Sequence, residues 1–158
     1  MIDDTDRAIL RILQENGRIS NAEIARQVGM APSAIFQRIR RLEERGIIAG
    51  YGVRLNARAL GHGLVAFIMV QTGENARDYN TAALLAALPE VQEVHRVVGE
   101  DCFIVKARVH DTDALASLLE HRIQPIPSIT STRTTIVVKT IKETTCLPLD
   151  HALIEDTA

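Results

Sequence analysis

The chain has 158 residues, 46% of them hydrophobic, enough apolar matter for one medium domain or two small ones, which excludes disorder throughout. Its two cysteines, Cys102 and Cys146, lack C-x-x-C spacing, which argues against a disulfide framework and a zinc site, and no apolar run approaches the roughly 18 residues of a membrane span. The formal net charge of −2 speaks against nucleic acid for the chain as a whole, but residues 1–63 hold ten Arg, no Lys and seven acids, whereas residues 64–158 hold eight Lys or Arg and thirteen acids. A basic module joined to an acidic one fits this asymmetry.

The opening MIDDTD is acidic and leads into an amphipathic pattern, so no signal peptide is expected and the chain reads as soluble and cytoplasmic. Asp3 caps a first helix running to about Asn16, with Ile9, Leu10, Ile12 and Leu13 as its buried face and Gly17 as its stop. Residues 20–46 then read as two helices joined by a tight turn. Ser20 and Glu23 have capping-box spacing. Gly29 suits the left-handed close of the first of these helices, Pro32 the first turn of the second, and Gly46 its end. Ile35, Ile39 and Leu42 form the buried stripe of that second helix; Ser33, Gln37, Arg40 and Arg41 point the other way. An apolar back with a Gln/Arg front suits a major-groove reader, because Arg pairs with guanine and Gln with adenine through two hydrogen bonds each. The bland alternative is a solvated helix face. Arg38 lies at the flank, where it either reads a base or pairs with an acid such as Glu43 or a residue of the first helix.

Residues 47–56 change character: Tyr51, Val53 and Leu55 alternate as in a short wing or linker strand, and Gly61 and Gly63 punctuate the segment that follows. The remainder predicts a strand over 64–71, a helix over 79–88 stopped by Pro89, a strand over 91–98, a tight turn at 99–101, a strand over 102–109, a helix over 112–122 and a long strand over 130–141. The order βαββαβ is the ferredoxin-like pattern, with helices on one sheet face and the other bare. Phe103, Val105 and Val138 alternate along these strands, and apolar side chains on the bare face predict a dimerisation surface. The fold class is thus α+β: a three-helix, winged helix–turn–helix domain over 1–50, a hinge strand and linker over 51–63, a ferredoxin-like domain over 64–142 and a tail over 143–158.

The stretches IDDTDRAILRILQENGRIS, GMAPSAIFQRIRRLEERGII, GYGVRLN, VVGEDC and VKTIKETTCLPL together resemble the Lrp/AsnC, or feast/famine, family of transcription factors over nearly the whole chain. The resemblance implies a DNA-binding regulator with a βαββαβ effector-binding and oligomerisation domain, dimers that assemble into octamers or related rings, and a small amino acid bound in clefts between dimers. The tail TTCLPLDH hints at a leucine-like effector. Two departures stand out. Ala31 occupies the cap position before Pro32 where the family usually has Ser, and the turn reads Gly99, Glu100, Asp101, Cys102, with the carboxylate shifted by one residue.

The expected DNA-binding residues are Ser33, Ala34, Gln37, Arg38, Arg40 and Arg41; Gln37 with Arg38 or Arg41 reads bases while Ser33 and Arg40 hold phosphate. The expected effector site is Val98, Gly99, Glu100 and Asp101 with the hydroxyls of Thr132, Thr134 and Thr135. A tight turn offers N–H groups to a carboxylate, and Glu100 or Asp101 can accept from an ammonium; alternatively Gly99 only makes a hairpin turn and the threonines only favour a strand. The five histidines show no metal-ligand spacing and no nucleotide or hydrolase motif is present, so neither metal, cofactor nor enzymatic activity is expected. The rival readings are an architectural DNA-binding protein without a ligand, a protein-interaction module, and an enzyme on a ferredoxin-like domain.

Overall fold

The computed structural model describes residues 2–73 and 80–149. The chain forms two compact units, one built from residues up to Arg54 together with those from Glu143 onward, the other from Leu55–Lys142. The first is therefore discontinuous in sequence, and the tail is part of it. Among the described residues no helix is long and apolar enough to cross a membrane.

The first unit begins with α1 (Asp4–Glu15), capped by Asp3. Asp3 accepts from the Asp6 N–H at 2.7 Å, and Asp6 returns the bond by accepting from the Asp3 N–H at 3.4 Å. In α2 (Asn21–Val28) only half of the expected capping box forms. Ser20 Oγ accepts from the Glu23 N–H at 3.2 Å, but the Glu23 carboxylate turns to Arg26, 2.7 Å away, and to Gln27, 2.9 Å away. A charged partner one helical turn on outcompetes the cap's own N–H. Gly29 closes α2 in the left-handed region, φ 75°.

The third helix, α3 (Pro32–Glu44), starts without a side-chain cap at Ala31. It ends in a Schellman motif: Gly46 has φ 68°, Ile47 N–H donates to the Leu42 carbonyl and Gly46 N–H to the Glu43 carbonyl, both at 2.9 Å. Ile9, Ile24, Ala25, Ile35 and Ile39 form the core of this unit, ringed by Ile12, Leu13, Ile19, Val28, Met30 and Ile48. The tail lies along α1: Leu147 N–H donates to Gln14 Oε1 at 2.6 Å, and Gln14 Nε2 donates to the Leu147 carbonyl at 3.1 Å.

The strand expected at Tyr51, Val53 and Leu55 is not formed. No ladder reaches these residues, and Val53 and Leu55 are exposed. Alternation sets up a strand's side chains, but a strand also needs a neighbour for its N–H and C=O groups, and every strand of the described chain belongs to the second unit's sheet.

The second unit comprises β1 (Leu64–Thr72), α4 (Thr81–Ala86), β2 (Val91–Arg96), β3 (Phe103–Val109), α5 (Thr112–Leu118) and β4 (Ile129–Ile136). The strands run β2-β3-β1-β4, with every neighbouring pair antiparallel. This is the expected ferredoxin-like arrangement. The predicted helix over 79–88 shortens to α4, and its first expected residue, Tyr79, lies outside the described residues. A π-helical turn over Leu119–Ile123 continues α5. β4 stops well before residue 141, because β1 begins at Leu64 and leaves residues beyond Val137 no strand to pair with.

The helices cover one sheet face, and the register decides which residues lie beneath them. Ala66, Ile68, Val70, Phe103, Val105, Ala107 and Val109 are buried with Leu85, Leu115, Leu118 and Ile123. This corrects the expectation for Phe103 and Val105, which lie under the helices, and for Val138, which lies past the end of β4. The opposite face carries Phe67 and Met69 from β1, facing Lys106 and Ile104 of β3. It is mixed in character, with Lys106 salt-bridged to Glu93 at 2.8 Å.

Candidate nucleic-acid interface and effector turn

The buried stripe of α3 is Ile35, Ile39 and Leu42, as its spacing requires. Ser33, Gln37, Arg40 and Arg41 are exposed on the other side, with Ala34 partly exposed beside them. Arg40 Nε donates to Glu44 Oε1 at 2.9 Å. Both side chains are well exposed, so this pair is worth little and can give way to a stronger anion. No acid occupies the first turn of α3, and with no side-chain cap its positive end is open.

Arg38 is placed differently from its neighbours. Its Nη1 lies 2.6 Å from Asp3 Oδ2 and 2.7 Å from Asp6 Oδ1, so the first helix supplies both its partners. Its side chain is 24% exposed and that of Asp6 11%. The cap hydrogen bond from Asp6 and then the Arg38 guanidinium hold the Asp3 carboxyl below its ordinary range, and the two carboxylates raise Arg38 in turn. Glu43, the other partner considered for Arg38, instead accepts from the Tyr51 hydroxyl at 2.8 Å. On that flank a cavity of about 450 Å³ is lined by Leu13, Gly17, Phe36, Ile39 and Tyr51 among others, and Phe36 stands half exposed. Residue spacing in the sequence singles out neither Phe36 nor the Tyr51–Glu43 bond.

In the second unit the turn between β2 and β3 is closed by Val97 N–H donating to the Cys102 carbonyl at 3.0 Å. Cys102 N–H donates to the Val70 carbonyl at 2.9 Å, which ties the turn to β1. Gly99 has φ 144°, a conformation that other residues rarely adopt. Val98 is fully exposed and Glu100 is exposed, whereas the Asp101 side chain is only 19% exposed. Asp101 Oδ2 accepts from Arg133 Nη2 at 3.0 Å. The turn thus meets β4 within one chain.

The three expected threonines divide between the sheet faces. Thr132 and Thr134 pair with the buried Val70 and Ile68, whereas Thr135 pairs with Phe67 on the uncovered side. Arg133 shares the face of Thr135 and pairs with Met69. Sequence reasoning missed Arg133, although it interrupts the threonine run as STRTT and is the one cation there. Together the turn and β4 present opposite charges, Asp101 and Arg133, next to hydroxyls on both faces.

Comparison with known proteins joins the two halves. Residues 2–49 match the winged helix-turn-helix DNA-binding family, and residues 65–147 match the Lrp/AsnC ligand binding domain. The chain is similar to the leucine-responsive regulatory protein of Escherichia coli K12, at 38% identity over 146 residues that cover 90% of this chain and 88% of that protein. Its fold is similar to that of a transcriptional regulator from Neisseria meningitidis solved as a complex with L-methionine, with TM-score 0.92, 34% identity, and coverage of 97% of this chain and 100% of that one. It is also similar to the feast or famine regulatory protein of M. tuberculosis complexed with L-methionine, with TM-score 0.84, 35% identity, and coverage of 90% and 96%. With a winged helix-turn-helix match over one unit, a ferredoxin-like sheet in the other and these relatives across both, the chain belongs to the Lrp/AsnC family of transcriptional regulators.

Proposed function

We propose that Ser33, Ala34, Gln37, Arg40 and Arg41 form the face that enters the major groove, with Gln37 and Arg41 reading bases and Ser33 and Arg40 holding phosphate. The observation that carries this is the exposure of these side chains directly opposite buried Ile35, Ile39 and Leu42. The uncapped, acid-free start of α3 suits a phosphate as well. A cytoplasmic homodimer, assembling further to an octamer, brings two such helices to the two halves of a roughly palindromic site, about one helical turn or a multiple of it apart. The uncovered sheet face of the second unit supports the pairing of subunits. Footprinting should show paired protections in that phase, and a single half-site bound by monomer would sink the dimer. Gln37→Ala should relax preference at one base pair and cost roughly 1–3 kcal/mol there; unchanged site preference would refute its role.

The effector in this reading is a small amino acid, leucine-like or methionine-like, bound between subunits at Val98, Gly99, Glu100 and Asp101 with Thr132, Thr134, Thr135 and Arg133 close by. The Asp101–Arg133 pair matches the two charges of a free amino acid, and the relatives solved with L-methionine support the ligand class. A ligand shared between subunits changes the assembly it binds better, with a coupling typically of about 1–3 kcal/mol. A thermal-shift screen of the twenty amino acids tests this, since a ligand of the folded state raises its stability. Gly99→Val and Asp101→Ala should each abolish that shift and leave ligand-free DNA binding in place; a ligand response that survives both changes places the site elsewhere.

A further inference from the structure

We infer that Arg38 contacts no DNA and is instead the positioning residue that sets the reading face of α3, through the Asp3–Asp6 pair at the start of α1. The inference rests on the DNA-facing reading of α3 given above.

A single nitrogen, Nη1, bridges two carboxylates that already face each other across the cap of α1. The ion pair therefore spans from residue 38 to residues 3 and 6 and fastens the third helix to the first. Arg38 is also adjacent to Gln37 and one helical turn before Arg41, the two proposed base readers. A small rotation of α3 about its axis moves both. Ile35 and Ile39 seat α3 in the core by close packing. A short charge-assisted bond at the flank fixes direction.

Charge counting points the same way. Two carboxylates and one guanidinium leave the cluster one negative charge, so a phosphate seeking Arg38 must displace partners of its own sign. Arg40 and Arg41 stand exposed, and the partner of Arg40, Glu44, is itself well exposed. Asp6 is the more enclosed of the two acids and Asp3 the more exposed, so Asp6 is the firmer anchor.

The test uses the full chain and compares Arg38→Ala, Arg38→Lys, Asp6→Asn and the double variant Asp6→Asn/Arg38→Ala. Affinity for an operator duplex and for an unrelated duplex is measured over a series of salt concentrations, with the melting temperature of each variant recorded. Arg38→Ala should lower the operator-to-unrelated affinity ratio about tenfold and leave the salt slope on unrelated DNA unchanged, since no phosphate contact is lost. Asp6→Asn should lower the same ratio, although removing a negative charge near DNA would by Coulomb attraction alone strengthen binding to both duplexes. The double variant should lose no more selectivity than either single one, because both remove the same fastening. Arg38→Lys keeps a cation and should restore part of the selectivity.

A fall of about one in the salt slope on Arg38→Ala, with Asp6→Asn as selective as the unmodified chain, would show a direct phosphate contact and overturn this inference alone. If Arg38→Ala does not fold, Asp6→Asn decides the matter: unimpaired selectivity in that variant overturns the inference. If the unmodified chain shows no salt-dependent duplex binding at all, the DNA-facing reading fails and takes this inference with it.

Discussion

The Tyr51 hydroxyl donates to Glu43 Oε1 across 2.8 Å, so the first residues after α3 are fastened back onto its last turn. The ring stands beside Gly17, where an added Cβ would lie 3.7 Å from Tyr51 Cδ1. Loss of water around the hydroxyl, and then the Glu43 carboxylate, push the phenol up to about 12. The folded state thus holds the proton more tightly than the unfolded state, whose phenol ionises near 10. The stability this contributes is complete below pH of about 10 and is lost as pH rises through about 12. Spectroscopic titration of a Tyr79→Phe variant, in which Tyr51 is the one remaining tyrosine, should show phenolate forming well above the ordinary range. Glu43→Gln should bring that midpoint back toward it. A midpoint near 10 in the unmodified site would count against the bond.

The start of α3 can be improved. Ala31 has φ −72° and ψ 141°, the extended geometry of a cap residue, but no side chain to accept a bond. Ala31→Ser places a hydroxyl there and should stabilise the chain by about 1 kcal/mol in chemical denaturation. An unchanged or lower midpoint would mean that the hydroxyl cannot reach the free N–H groups of the first turn.

At low pH the start of α1 should weaken. Asp3 is held below its usual 3.8 by the Asp6 N–H and by Arg38, so its contribution is present above that value and is lost as pH falls through the lower, folded one. Asp3→Asn keeps a capping oxygen and gives up the titration. It should flatten the acid limb of the stability curve by lowering the neutral end toward the low-pH end, because the charged pairing with Arg38 is given up at every pH. An acid limb identical in both proteins would remove Asp3 from the account.

Gln14 holds the tail through both its amide atoms, and Cys146 Sγ lies 3.8 Å from the Gln14 carbonyl oxygen. Gln14→Ala removes two hydrogen bonds and should destabilise the chain by about 1–2 kcal/mol. It should also speed alkylation of Cys146 relative to Cys102. Equal alkylation rates in both proteins would show that the amide does not hold the tail.

Local signals in the sequence carried the first unit's helices a long way. Asp3, Ser20, Gly29, Pro32 and Gly46 act on backbone groups within one turn of themselves, so their roles can be read without knowing what packs where. Glu23 shows the limit: the spacing is that of a capping box, but Arg26 and Gln27 compete for the same carboxylate, and geometry decides the winner. The strand order followed from the pattern of elements, whereas the sheet's faces did not. Shifting a pairing by one residue exchanges the faces, so the burial of Phe103 and Val105 and the split of Thr132 from Thr135 depend on partners in β1 more than thirty residues away. Arg133 escaped for the same reason, and Arg38 was legible only as a flanking residue with a partner on the first helix as one alternative. Each is an unremarkable cation on its own element, and its acid lies 35, 32 or, for Arg133, 32 residues distant.

The return of the tail has a consequence for how the protein is made. The bonds between Gln14 and Leu147 close a separation of 133 residues. On the ribosome the three helices can condense as soon as they emerge, and the sheet of the second unit follows as one uninterrupted stretch. The first unit, begun earliest, is finished later than the second, because its last piece is synthesised only after β4. A nascent chain halted near Lys142 would therefore display α3 on a bundle that still lacks one side of its mooring, while its sheet was already complete.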